Sequence, residues 1–260
     1  MNVRLACAAL LVAAALACQD APAPDAQLPE QLKELHTMAS NPKLEDDFRA
    51  IGLLQKLAEG FDKRNPKDQE KIAKAVADVF RAGKVRPADK DHLYRKAGEV
   101  LAVMGEDGGK ELQKVLLDPR IKDKEFIPLR AALIVDLGKT ADEKQVDWLL
   151  EQARRSPIDD ILAAAAEALG NYTKLEPKHR REVVKELLVK YGEVESKGSV
   201  PDNNDPKAQI DFSGQDARKT LSKCRPKWNA TLTALTGQGF SAFADWQRWL
   251  NKNPNWSPPK

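Results

Sequence analysis

"AALIVDLG" (residues 131–138) and "AAAAEALG" (residues 163–170) are two copies of one pattern, an alanine-rich run that ends in glycine. A third copy, "AGEVLAVMG", ends at Gly105, and a fourth, "NATLTALTG", ends at Gly237. The steps between the four glycines are 33, 32 and 67 residues. Alanine and leucine favour helices, and a glycine after a helix often adopts the positive φ that ends it. Each copy is therefore predicted to be a helix that stops at its glycine.

Each alanine-rich run is followed by a segment whose apolar residues recur with the period of a helix. In the segment from Asp142 to Arg155, for example, Val146, Leu149 and Ala153 share one predicted face. Alternating runs of β-branched residues, the pattern of a strand, are absent from the sequence. Two helices repeated every 32 or 33 residues are typical of an α-solenoid, so the sequence predicts an all-α fold of stacked helical pairs.

The pattern resembles HEAT repeats, and in particular those of secreted bacterial HEAT-repeat proteins. The resemblance is carried by Arg130 to Gly138, by Ala163 to Gly170 and by "LYRKAGEVLAVMG" at 93–105. It covers residues 90–192 best, and residues 43–83 resemble a degenerate first pair. The resemblance implies a right-handed α-solenoid, an armadillo-like superhelix. It says little about function, because one fold carries many activities.

The first residues, "MNVRLACAALLVAAALAC", are typical of an export signal. One positive charge, Arg4, precedes an apolar run that is too short to span a bilayer and that ends in small residues. Cys18 follows as in a bacterial lipobox, where the cysteine is acylated, and ordinary cleavage after Ala17 is the alternative. We therefore expect an exported protein of the cell envelope or periplasm that a lipid on Cys18 anchors to a membrane.

The sequence divides the whole chain into five predicted segments. They are a signal peptide (1–17), a flexible tether (18–28), a HEAT-like α-solenoid (29–192), a loop insert (193–214) and a C-terminal helical cap repeat (215–260). The insert is predicted from its Pro, Gly, Asn and Asp residues. Within it, Asp202 to Asp205 offers oxygen ligands for an ion but lacks the order of a calcium-binding loop.

Four of the five tryptophans lie between Trp228 and Trp256. Phe243, Trp246 and Leu250 share a predicted helical face, and the last repeat of a solenoid has no neighbour to cover it. Residues 240–252 are therefore predicted to dock on the helix that contains Trp228 and to close the open end. The alternative is an aromatic platform for a sugar or a cofactor, for which Trp256, past the last helix, is the most available ring.

Trp148 falls nearly opposite the apolar face of its predicted helix, among Lys144, Gln152 and Arg155. Tryptophan is enriched at the energetic centres of interfaces, so Trp148 could be an exposed anchor on the inner wall of the solenoid. It could equally pack against a neighbouring helix, since solenoid helices are buried on two flanks. Lys144, Trp148, Gln152 and Arg155 are the candidate partner-binding residues.

The sequence gives little support to catalysis. It contains no metal, phosphate-loop or nucleophile motif, and its three histidines are scattered. Cys224 lies on a predicted apolar face, so we expect a small buried hydrophobe there rather than a nucleophile. We expect no catalytic residue, no metal site and no cofactor. A net charge of +3 lacks the basic excess of most nucleic-acid binders, which argues against nucleic acid as a partner.

The leading hypothesis is a non-enzymatic HEAT-repeat scaffold that binds another protein in the cell envelope, because solenoids offer long curved surfaces. One alternative is an enzyme of the DNA-alkylation-glycosylase type, which has a HEAT-like fold and in which Trp148 beside Arg155 would stack on a base. The export signal opposes this alternative, since the DNA is in the cytoplasm. The other alternative is an envelope glycan-binding module that uses Trp148 or Trp256.

Overall fold

The structure, a computed structural model, describes residues 23–199 and 213–257. These ranges contain eleven α-helices and no strand, which confirms the predicted all-α class. The helices are α1 (Leu28–Ala39), α2 (Asp47–Ala58), α3 (Pro66–Asp78), α4 (His92–Ala102), α5 (Gly105–Leu117), α6 (Ile127–Lys139), α7 (Val146–Arg155), α8 (Asp159–Leu169), α9 (Pro177–Gly198), α10 (Ser213–Thr236) and α11 (Phe243–Lys252). Among the described helices, none has the length and hydropathy needed to cross a membrane.

Alternate helices pack on one another and form two layers. In the even-numbered layer α2 contacts α4, α4 contacts α6, α6 contacts α8 and α8 contacts α10. In the odd-numbered layer α1 contacts α3, α3 contacts α5, α7 contacts α9 and α9 contacts α11. Successive helices, such as α4 with α5 and α7 with α8, join the two layers. One continuous core of buried side chains therefore extends from Leu28 to Trp256.

The four repeat glycines do not all have the predicted role. Gly237 directly follows α10 with φ of +72°, as predicted, whereas Gly105 has the predicted positive φ of +56° but is the first residue of α5, three residues after α4 ends. Gly170 follows α8 with φ −63°, and Gly138 lies inside α6, so the prediction of a left-handed helix stop is wrong for these two. At Gly138 the reason for glycine is space. A Cβ atom there would lie 2.5 Å from the Cα atom of Ala168 on α8.

Two predicted segment boundaries move inward. Helix α9 continues to Gly198 and α10 begins at Ser213, so both ends of the predicted 193–214 insert are helical. The predicted 18–28 tether is fixed at its end, because the Asp25 N–H donates to Asp68 Oδ2 at 2.9 Å and Asp25 Oδ2 pairs with Arg64 Nη1 at 2.8 Å. The signal peptide, Cys18 and residues 202–205 lie outside the described residues.

The close approach of α6 and α8 can be tested by adding one methyl group. Gly138→Ala should lower the free energy of unfolding by about 1–3 kcal/mol, because the added Cβ meets backbone that must move. Gly52→Ala, inside α2 where a Cβ has nothing within 4 Å, should instead raise it by about 0.5–1 kcal/mol. Urea unfolding followed by circular dichroism measures both variants. If Gly138→Ala and Gly52→Ala raised the free energy of unfolding equally, the close approach of α6 and α8 would be contradicted.

Candidate functional site

Trp148 is half-buried and packs against the hydrophobic core. Helix α7 contacts both α8 and α9, so side chains outside its principal apolar face still meet neighbouring helices. Val146, Leu149 and Ala153 are fully buried on that principal face, as predicted. Of the two interpretations of Trp148, the structure therefore favours packing over a fully exposed anchor. Part of the indole remains accessible beside the outer surface of α7.

The other three candidate residues lie on or just before the same helix and are more accessible. Lys144 stands in a short 3-10 turn before α7, and its ammonium pairs with Glu106 of α5. Arg155 ends α7, and its Nη1 atom is 3.3 Å from Glu151 Oε1. The side chains of Lys144 and Arg155 are 70% and 73% exposed, and Gln152 is half-buried. The structure thus places the four predicted residues along one edge of α7.

Charged side chains that the sequence analysis did not single out continue this surface towards α9. Arg154 Nη1 lies 2.9 Å from Glu186 Oε2, and His179 Nε2 lies 3.6 Å from Asp147 Oδ1. The side chains of Asp147, Leu150, Glu151, Arg154 and Arg155 line a shallow depression at this edge. The surface therefore offers exposed charges of both signs around a partly accessible indole. Such a mixture can contact the polar rim and apolar centre of a protein partner.

The tryptophans at the C-terminal end form an aromatic cluster inside the protein. Trp228 and Trp246 are completely buried. Tyr191 bridges α9 to both neighbours, with its ring centroid 4.9 Å from that of Trp228 and 5.3 Å from that of Phe243. The indole N–H of Trp246 donates to Asn229 Oδ1 at 2.9 Å. These contacts favour a hydrophobic cap over an open aromatic platform.

Two details of the predicted cap differ from the structure. Helix α11 docks chiefly on α9 rather than on the helix of Trp228, because Gly192 leaves room for the Phe243 ring, whose Cζ atom is 2.6 Å from where a Gly192 Cβ would stand. Trp256 is only 7% exposed, so it is not an available ring. It packs on Trp249, and its carbonyl accepts a hydrogen bond from Arg181 Nη1 at 3.1 Å.

Groups with the potential for catalysis lie far apart or are buried. His36, His92 and His179 lie on α1, α4 and α9. Within residues 23–199 and 213–257, no three His, Cys, Asp or Glu side chains converge as metal ligands. Cys224 is completely buried, and burial raises the pKa of its thiol to about 12, with a further contribution from Asp159. The thiol is therefore protonated at neutral pH.

Comparisons with protein-family models, with curated proteins and with solved structures find no match to this chain. The resemblance to HEAT repeats accordingly depends on the sequence pattern alone. Its consequences for architecture and function are proposals, and they are argued below from the contacts between the helices and from the surface of α7.

The state of Cys224 can be tested by alkylation. In a variant with Cys7 and Cys18 replaced by serine, Cys224 should not react with iodoacetamide at pH 8 while the protein is folded, because the thiol is inaccessible and protonated. It should react after unfolding in urea, where its pKa returns to about 8.5. Mass spectrometry counts the added groups. Rapid alkylation of the folded protein would contradict the burial of this side chain.

The aromatic cap can be tested by truncation. Deletion of residues 239–260 removes Trp246 and exposes the apolar surface of α9 and α10, so the variant should aggregate or lose stability by at least about 3 kcal/mol. The helices around Gly138 should remain, because repeats stabilise chiefly their neighbours. Light scattering and thermal unfolding measure the two effects. A monodisperse product with unchanged stability would contradict the cap.

Proposed function

We propose that this chain is a right-handed, HEAT-like α-solenoid that acts as a non-enzymatic scaffold and binds another protein in the cell envelope. The observation that carries the proposal is the packing of alternate helices into two layers. Each helix of the even-numbered layer contacts the next one, and the odd-numbered layer repeats this packing from α1 to α5 and from α7 to α11, as stacked helical pairs require. Stacks of this kind present extended surfaces rather than one enclosed pocket.

The partner would bind at the edge of α7 that carries Lys144, Trp148, Gln152 and Arg155. The two cations are exposed and make ion pairs only with exposed carboxylates, so a partner could replace those contacts at little cost. The half-buried indole would supply the apolar centre of the interface, in a fixed orientation because the core holds one side of it. Charges of both signs around it suit a folded protein partner better than a nucleic acid, whose backbone is uniformly negative.

Export and anchoring are part of the same proposal. The short apolar N-terminal run and the cysteine after it support a lipoprotein held to a membrane through Cys18. The glycan-binding alternative loses one of its two rings, because Trp256 is buried. The glycosylase alternative is opposed by the N-terminal export signal, since the DNA is in the cytoplasm. A protein partner in the envelope is therefore the function we favour.

Charge reversal at the edge of α7 tests the proposal. The double variant Lys144→Glu and Arg155→Glu should reduce the yield of partner crosslinked in the native envelope by at least about tenfold. The two introduced carboxylates would repel the acidic side chains of the partner that Lys144 and Arg155 attract in the unmodified protein. Trp148→Ala should reduce the yield as well, and its free energy of unfolding should fall by about 1–2 kcal/mol because only part of the ring is buried.

The matched control is Lys219→Glu, which reverses an exposed lysine on α10. This variant should give the same yield of crosslinked partner as the unmodified protein. The crosslinked partner is identified by mass spectrometry and then compared between variants by quantitative blotting. An unchanged yield in the double variant would rule out the edge of α7 as the binding surface.

A further inference from the structure

Phe48 is the most exposed large apolar side chain in the described part of the chain. It lies in the first turn of α2, and 86% of its surface is accessible to water. The core-facing residues of the same helix, Ala50, Leu54 and Leu57, are completely buried. Phe48 lies on the other side of the helix, so the packing of the described residues leaves its ring exposed. A phenyl ring left in water gains none of the free energy that burial would supply.

A small apolar depression lies directly beside this ring. It has a volume of about 150 Å³ and is lined by Leu44, Asp47, Phe48, Ile51, Lys90 and His92. An enclosed apolar cavity of this volume holds one benzene ring, and this depression has the same volume but is open to the surface. The depression is thus the right size for a single phenylalanine side chain. The same patch of surface therefore carries both a projecting phenyl ring and a site that fits one.

The walls of this depression are held in place by buried contacts. The guanidinium of Arg86, which is 1% exposed, donates to both oxygens of Asp47 at 2.7 and 3.0 Å. It also donates to the carbonyl of Ala39 at 3.1 Å, and it lies 5.2 Å from the centre of the Tyr94 ring. Leu44 has φ of +61°, a conformation that is unfavourable for leucine and common for glycine. The side chain of Leu44 lines the depression.

The patch lies far from the point where the described chain begins. Asp25 is fixed near the start of α3 by its contacts with Arg64 and Asp68. Phe48 lies near the other end of α1, since Arg86 ties Asp47 to the carbonyl of Ala39. Helix α1 has 12 residues and is about 18 Å long. Asp25 and Phe48 therefore lie near opposite ends of α1.

We propose that this patch joins two copies of the chain in a two-fold symmetric dimer, with Phe48 of each copy seated in the depression of the other. A two-fold interface requires one surface that is complementary to itself. A projecting ring beside a site of its own size meets that requirement, because the symmetry operation brings each ring to the opposite site. The proposal is independent of the partner surface on α7.

The charges around the patch are complementary under the same symmetry. Lys90 lines the depression, and Glu45 follows Leu44, another lining residue, in the sequence. Both side chains are exposed, and neither makes an ion pair within the described residues. Asp47, by contrast, is already neutralised by Arg86. In the proposed dimer, Glu45 of each copy would pair with Lys90 of the other copy, so the two-fold axis would generate two equivalent ion pairs. The rim thus favours a second copy over a partner of uniform charge.

The test measures the mass of the purified full chain by sedimentation equilibrium from micromolar to millimolar concentration. The unmodified chain should dimerise, and Phe48→Asp should raise the dimer dissociation constant by at least about tenfold, the effect expected for a central aromatic residue. Asp suits the first turn of a helix, so thermal unfolding of the monomer should not change. The control is Val103→Lys, which changes another exposed apolar residue, 62% accessible, at the C-terminal end of α4 and should leave dimerisation unchanged.

A charge exchange tests the two-fold arrangement. Glu45→Lys alone and Lys90→Glu alone should each weaken the dimer, and the two substitutions together should restore it, because the exchanged pair is again complementary. Failure of the double variant to dimerise would overturn the arrangement. A chain that stays monomeric at millimolar concentration would overturn the dimer altogether. Binding to phospholipid vesicles that depends on Phe48 would then identify a bilayer as the occupant, and its absence would point to an aromatic side chain of a different protein.

Discussion

The contact between α6 and α8 at Gly138 and Ala168 is the constraint on which the rest of the structure depends. A Cβ atom at Gly138 would lie 2.5 Å from the Cα atom of Ala168, so a methyl group does not fit between the two backbones. Similar contacts recur along the even-numbered layer, where a Cβ at Gly98 would meet Leu133 and one at Gly170 would meet Thr231. Contacts between successive helices, such as α4 with α5 and α7 with α8, link the spacing of the two layers.

This spacing has consequences for both ends of the stack and for its surface. An interior helix such as α7 is covered on two flanks, which explains why Trp148 is half-buried although it lies opposite the apolar stripe of its helix. At the C-terminal end of the described residues, a cluster of aromatic rings covers α9 and α10. Aromatic rings suit this position because each one buries a large area, so a small number of residues covers the surface.

The exposed surfaces of the protein differ in character. The edge of α7 has many charges, most of them already paired with neighbours, around one partly accessible indole. The patch at the start of α2 has one fully projecting phenyl ring, a depression of matching size and two charges without ion-pair partners in the described residues. The first surface suits a folded partner with a polar rim, and the second suits a copy of itself. Both could be occupied at once, because they lie on different helices.

The sequence by itself determined the all-helical class and the principal apolar face of helices such as α7, because period and composition are local properties of the chain. Val146, Leu149 and Ala153 are buried as that pattern indicates. The pattern of α2 would also have placed Phe48 opposite Leu54 and Leu57. Only the tertiary structure decided what covers the remaining flanks. The burial of Trp256, the docking of α11 on α9 and the reason for glycine at 138 depend on residues distant in sequence, and the period of one helix carries no information about its neighbours.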